Sequence, residues 1–192
     1  MKKGSILVST IDSGGAEKQA VLLASQLSLY TEVNFLILYG DYAEYQHNVA
    51  ILAESTVKVH KLVGCMLSKI RQVRRIIKVS ETGVLLNYLT LPDFVGSLVG
   101  RMCGIRVYNG IRNSRMPKAK ILMEKIAHNY WASGTIYNCY SGAEYFANLG
   151  FIRKKNIVIP NCFPNIEAPI IRPNHEIKTI ITVGRFDPQK DY

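Results

Sequence analysis

Strand-like and helix-like hydrophobic patterns alternate along this chain from its first residues, and that alternation restricts the fold more than any other feature. Ser5–Ser9 (SILVS) is a short apolar run, and from Gly15 to Leu29 the apolar positions Ala16, Ala20, Leu23 and Leu27 recur at helical spacing. Strand patterns follow at Val33–Tyr39, Val57–Leu62, Val84–Tyr88, Ile105–Asn109, Thr135–Cys139 and Asn156–Ile159. Between them lie helix patterns at Tyr42–Ala53, Met66–Val79, Asp93–Cys103, Pro117–Tyr130 and Ala143–Leu149. The Asp93–Cys103 helix, opened by Pro92, is apolar nearly all round, and Gly96 and Gly100 permit close backbone approach. Strands separated by helices imply parallel neighbours joined by crossovers, with both faces of the sheet covered. The expected fold class is α/β, a Rossmann-like doubly wound parallel sheet.

With 192 residues, 48% of them hydrophobic and 20% charged, the chain can bury one core of ordinary domain size. From Pro160 to Pro173 the composition changes to PNCFPNIEAPIIRP. Proline removes a backbone donor and turns the preceding residue away from helix, so this stretch reads as an extended linker. Thr179–Tyr192 (TIITVGRFDPQKDY) then resembles a strand and a turn that open a second α/β domain. The expected organisation is a Rossmann-like domain over residues 1–160, a linker over 161–177, and the first strand and turn of another domain over 178–192.

No apolar run approaches the roughly 18 residues of a membrane-spanning helix, and the N-terminus carries no signal-peptide pattern. Cys65, Cys103, Cys139 and Cys162 are far apart with no C-x-x-C pair, which fits reduced, mostly buried thiols in the cytoplasm better than a disulfide frame or a zinc site. The net charge of +10 is unevenly placed: residues 1–54 hold three basic and six acidic side chains, whereas residues 55–128 hold fourteen basic and three acidic. Such polarity attracts polyanions. No helix-turn-helix, zinc-finger or RNP-like signature accompanies it, so specific nucleic-acid binding is not expected.

Asp12-Ser13-Gly14-Gly15-Ala16-Glu17 sits where the first strand turns into the first helix. Two glycines let a ligand approach the backbone, and free N–H groups at a helix start form an anion site. The same residues could simply make a tight turn, and the dinucleotide fingerprint G-x-G-x-x-G is absent. Taken with Val158-Ile159-Pro160-Asn161 and with Val183-Gly184-Arg185-Phe186, Pro188 and Lys190, this segment resembles family 4 glycosyltransferases of the GT-B fold. The resemblance implies an N-terminal acceptor-binding domain and a C-terminal sugar-nucleotide domain, with transfer in the cleft between them. It implies a retaining reaction without metal or cofactor, in the synthesis of bacterial polysaccharide or glycolipid, with the nucleotide sugar as donor substrate. Carried over, Gly14 and Gly15 lie near the donor diphosphate and Arg185 and Lys190 contact it from the far side; otherwise the latter two are solvated charges. The His that many relatives place after the fourth strand is replaced by Asn87-Tyr88-Leu89-Thr90, and the paired-glutamate motif of the donor domain is absent, so the chain alone is expected to be inactive.

Ile111-Arg112-Asn113-Ser114-Arg115 follows the Ile105–Asn109 strand, at the carboxyl end of the sheet where open α/β folds bind ligands. Similar loops occur in relatives acting on lipid-linked saccharides, which assigns Arg112, Asn113 and Ser114 to acceptor contact. Asn113 or Ser114 could instead cap the helix opened by Pro117, and the residues leave both readings open.

In the Met66–Val79 helix, Met66, Ile70, Val73 and Ile77 form one stripe while Arg71, Arg74, Arg75 and Lys78 form a strip beside it; Lys58, Lys61 and Lys69 add to the basic stretch. The apolar stripe fits a crossover helix facing its sheet. The basic strip suits reversible docking on an anionic membrane surface at the inner face of the cytoplasmic membrane, or mere solvation. The expected function is the N-terminal part of a sugar-nucleotide-dependent glycosyltransferase with a lipid-linked or saccharide acceptor. The alternative is a non-catalytic, membrane-anchoring subunit of a split enzyme, partnered by a separate donor-domain chain.

Overall fold

A computed structural model describes residues 3–42, 44–113 and 116–162 of the chain. Among the described residues seven strands and six α-helices alternate: β1 (Lys3–Val8), α1 (Gly15–Ser28), β2 (Val33–Ile37), α2 (Gln46–Ala53), β3 (Lys58–Lys61), α3 (Met66–Val79), β4 (Thr82–Asn87), α4 (Thr90–Cys103), β5 (Arg106–Ile111), α5 (Lys118–Ile126), β6 (Gly134–Tyr137), α6 (Tyr140–Asn148) and β7 (Asn156–Val158). The strands form one all-parallel sheet in the order β3-β2-β1-β4-β5-β6-β7. The doubly wound Rossmann-like arrangement expected from the alternation is the observed fold.

Side-chain alternation along the strands explains why helices are needed on both faces. Ile6 and Val8 of β1, with Phe35 and Ile37 of β2, pack against Ala20, Val21 and Ala24 of α1 and Leu52 of α2. The intervening Leu7 and Leu36 point the other way, joining Leu85 and Val107 against Val73 and Ile77 of α3 and Val95 and Val99 of α4. Each fully buried Leu, Ile or Val contributes about 1.5–3 kcal/mol relative to exposure. A smaller cluster of Ile111, Tyr137, Phe146 and Phe151 closes the β6–β7 end.

Close backbone approach at α4 is as expected: a Cβ on Gly96 would overlap the Asn87 amide of β4, and one on Gly100 would overlap Val107 of β5. The boundaries differ in instructive places. The helix α4 starts at Thr90 and takes Pro92 into its first turn, where no N–H bond is lost. The pattern at Tyr42–Ala53 becomes helical only from Gln46. The Pro117–Tyr130 pattern is α-helical to Ile126 and then widens into a π turn, Ala127–Trp131. The thiols are free, but Cys65, Cys139 and Cys162 are exposed and Cys103 is half-buried, against the expectation of mostly buried cysteines. Cys65 and Cys139 are the N-caps of α3 and α6, positions that face solvent because a helix start does.

Candidate functional site at the carboxyl edge of the sheet

All strands being parallel, their carboxyl ends share one edge, and the connections reverse direction between β1 and β4. That reversal opens a crevice where α/β sheets place ligands. A cavity of about 470 Å³ occurs there, walled by Ser9 after β1, Tyr39 after β2, Leu89 and Leu91 around the start of α4, Gly110–Asn113 at the end of β5, and Met123 and Glu124 of α5. Leu89, the N-cap of α4, has φ 76° and ψ 156°. A branched residue in that region stores on the order of 1–3 kcal/mol of strain, held here by the packed start of α4.

The glycine turn lies on the same edge. Gly14 is the N-cap of α1 and Gly15 its first residue; a side chain at Gly15 would meet nothing within 4 Å, so this backbone is open to a ligand. Gly14 differs, because the Glu17 carboxylate folds back to where its Cβ would stand. Burial raises the Glu17 carboxyl above its usual range, its own backbone N–H opposes that shift, and Asp12 adds to it. The turn is braced from α2, where Asn48 Nδ2 donates to the Asp12 carbonyl at 2.7 Å.

Two further segments are drawn to this edge. Gln19 of α1 clasps Cys162, donating to its carbonyl at 2.7 Å and accepting from its N–H at 3.1 Å. Arg112 Nη1 donates to Asn161 Oδ1 at 2.6 Å, and its guanidinium lies 5.2 Å from the centre of the Tyr88 ring. Arg112 Nε is buried without an acceptor. Asn113 is exposed and borders both the main cavity and a neighbouring hollow of about 320 Å³ that includes Cys139 and Tyr145. Pro117 is the N-cap of α5 and makes no side-chain cap bond of its own. The structure thus brings Gly14, Gly15, Arg112, Asn113 and Asn161 to one edge. Ser114, Arg185 and Lys190 lie outside the described residues.

Arg71, Arg74, Arg75 and Lys78 do not line this cavity. They are exposed on α3, whose Val73 and Ile77 face the sheet. Lys69 is buried instead, its ammonium 4.4 Å from the Tyr39 ring centre, while Lys58 pairs with Glu32 and Lys61 with Glu44.

Two acids absent from the sequence-based assignment lie at this end of the cavity, Glu124 lining its floor and Asp93 behind it. Asp93 of α4 is wholly buried and accepts the Gly110 N–H at 3.2 Å. Glu124 of α5 is 1% exposed, within hydrogen-bond reach of Asp93 and of the Thr90 side chain. Burial, and then the Glu124 charge, hold the Asp93 carboxyl well above its ordinary range; burial pushes Glu124 up to about 7 against its hydrogen bonds with Thr90 and Asp93. Asp93 Oδ2 and Glu124 Oε2 have no donor of their own, and two adjacent carboxyls away from water cannot both ionise cheaply, so the pair shares a proton. The one available signal was a lone acid inside an otherwise apolar helix. Among the described residues no group of three or more His, Cys, Asp or Glu is placed to hold a metal ion, and no helix is long and apolar enough to cross a membrane.

The sequence matches no protein-family model and no curated protein. Solved structures do resemble the fold. HepE from Anabaena in complex with UDP-glucose aligns with a TM-score of 0.69 at 15% identity, over 83% of this chain and 44% of that one. The lipopolysaccharide outer core galactosyltransferase WaaB aligns with a TM-score of 0.68 at 12% identity, over 93% of this chain and 50% of that one. A UDP-N-acetylglucosamine 2-epimerase from Rickettsia bellii aligns with a TM-score of 0.62 at 13% identity, over 84% and 45%. The chain spans about half the length of these proteins. Its fold is one Rossmann-like half of the GT-B architecture, which glycosyltransferases and a sugar-nucleotide epimerase share.

Proposed function

We propose that the chain is the acceptor-binding half of a sugar-nucleotide-dependent glycosyltransferase of family 4 type, with the acceptor held by residues 1–160, a linker over 161–177, and the donor lobe beginning at 178. The observation that carries this reading is the placing of the glycine turn, the Arg112 loop and Asn161 on one carboxyl edge, beside a cavity that Arg112 and Asn113 line. That structural neighbours occur in complex with UDP and UDP-glucose supports a nucleotide-sugar donor. Backbone amides at Gly14 and Gly15 meet the donor diphosphate once Glu17 swings aside, while Arg185 and Lys190 approach from the second lobe and offset the charge on the departing nucleotide. The acceptor, a saccharide or a lipid-linked saccharide, enters past Arg112, Asn113 and Ser114. The reaction retains configuration, uses no metal, and serves polysaccharide or glycolipid synthesis at the inner face of the cytoplasmic membrane, where the basic strip of α3 docks.

On this reading acceptor binding belongs to this chain, whereas transfer needs the donor lobe. A panel of alkyl and lipid-linked glycosides, followed by amide NMR shifts, tests it. At least one glycoside is expected to shift Leu89–Leu91 and Gly110–Asn113. If every glycoside leaves those amides unmoved, the acceptor assignment fails.

A further inference from the structure

The cavity has two chemical ends. Leu89, Leu91, Met116 and Met123 present an apolar wall, and the two methionines can adapt to an irregular ligand. Thr90 and Glu124 form a polar floor. Glu124 Oε2 is buried and lacks a donor, an expense that a buried acceptor keeps only when something else supplies one. Behind it stand Asp93 and the Tyr137 hydroxyl, which is also buried without a partner.

We propose that Thr90 and Glu124 are the point at which this cavity reads a hydroxyl group, on an amphipathic ligand whose apolar part lies against Leu89, Leu91, Met116 and Met123. The inference rests on the acceptor reading of the cavity and names the class of acceptor: a sugar carried on an apolar group, not a free sugar. The ligand O–H donates to the Glu124 carboxylate in place of the proton that Glu124 gives up, while the remaining proton of the pair stays on Asp93. Ligand and proton therefore compete, and affinity rises as pH rises through about 7, where Glu124 gives up its proton. The charged groups facing this floor are Arg112 from the end of β5 and Lys120 one turn earlier on α5; Tyr137 of β6 is kept neutral, its hydroxyl raised by burial and by the two acids.

The test uses n-octyl β-D-glucopyranoside below its micelle concentration, with glucose as control, and amide NMR on the full chain at about pH 5.5 and about pH 8.5. Wild type should bind the octyl glucoside about fivefold or more tightly at the higher pH, with shifts at Leu91, Gly110 and Ile111, and should bind glucose far more weakly. E124Q should bind equally at both. In wild type alone, the ¹³C resonance of the Glu124 carboxyl should titrate near pH 7, with its midpoint lowered by the ligand; this reading stands even if the variant fails to fold. Cavity shifts with the same pH dependence in wild type and E124Q, or an unmoved Glu124 midpoint, overturn the inference and leave the acceptor cavity intact. Glucose binding as tightly as the octyl glucoside overturns the amphipathic class alone. Absence of any cavity shift removes both.

Discussion

His128 shows how much a single enclosed side chain can decide. Its Nδ1 lies 2.7 Å from Thr135 Oγ1 and its Nε2 lies 3.1 Å from the Ile152 carbonyl. A carbonyl can only accept, so Nε2 carries the hydrogen, and in the neutral ring Nδ1 accepts from the threonine hydroxyl. Burial, with the nearby Lys155 charge adding to it, lowers the imidazole to about 4, while its bond to Ile152 opposes the shift. Because the folded state resists a proton that the unfolded chain takes up near 6.5, this stabilisation is complete above that pH and is lost as pH falls through about 4. The loss is on the order of 3 kcal/mol at full protonation. Thermal melts of wild type should therefore drop between about pH 6.5 and 4, and H128Q should lose that component while starting from a lower Tm; parallel pH profiles would contradict the buried neutral ring. Neither His128 nor the Asp93–Glu124 pair is legible in the sequence. A lone histidine or a glutamate on a mixed helix has the spacing of a solvated residue; α5 docking against α4 takes Glu124 out of water, and Thr135, Phe151 and Ile152 enclose His128.

Among the elements, α3 carries the clearest surface signal. Its stripe was legible because a crossover helix must bury one face, and Val73 and Ile77 do so. The fate of Lys69 was not, since its cover is the Tyr39 ring, brought in by another strand's end. At about 100° per residue, the 66%-exposed Leu67 falls among Arg71, Arg74 and Lys78, so the outer face mixes cations with an apolar side chain. Each basic residue close to an anionic bilayer is worth about 1 kcal/mol, and the leucine can enter the headgroup boundary. The chain is expected to pellet with vesicles containing phosphatidylglycerol, less so as salt rises, and to stay in solution with phosphatidylcholine alone. Reversing Arg71, Arg74, Arg75 and Lys78 to Glu should abolish pelleting; retention by the reversed variant would show that the strip is only solvated.

At the scale of the whole molecule, polar clasps join segments that the sequence holds far apart. Gln19 and Cys162 are 143 residues apart, yet exchange two hydrogen bonds. Since the clasp is exposed, Q19A should cost less than about 1 kcal/mol, while amide exchange at Cys162 accelerates; unchanged exchange would mean that the clasp does not restrain this segment. The parallel sheet and its two covering layers were readable from periodicity and crossover rules, whereas the order β3-β2-β1-β4-β5-β6-β7 came only with the structure. The convergence of the glycine turn with Arg112 and Asn161 was implied only by likeness to a family, since no local pattern encodes which loops meet.

The central position of β1 also governs how the chain can acquire its shape. It pairs with β2 across a single short crossover, but its other neighbour, β4, is synthesised only after α2, β3 and α3. Until β4 arrives, β1 presents a bare row of amides and carbonyls flanked by apolar side chains, the kind of edge on which chains associate wrongly. Refolding should accordingly be slow for a protein of this length and sensitive to concentration, with the joining of β1 to β4 as the step that ends the hazard.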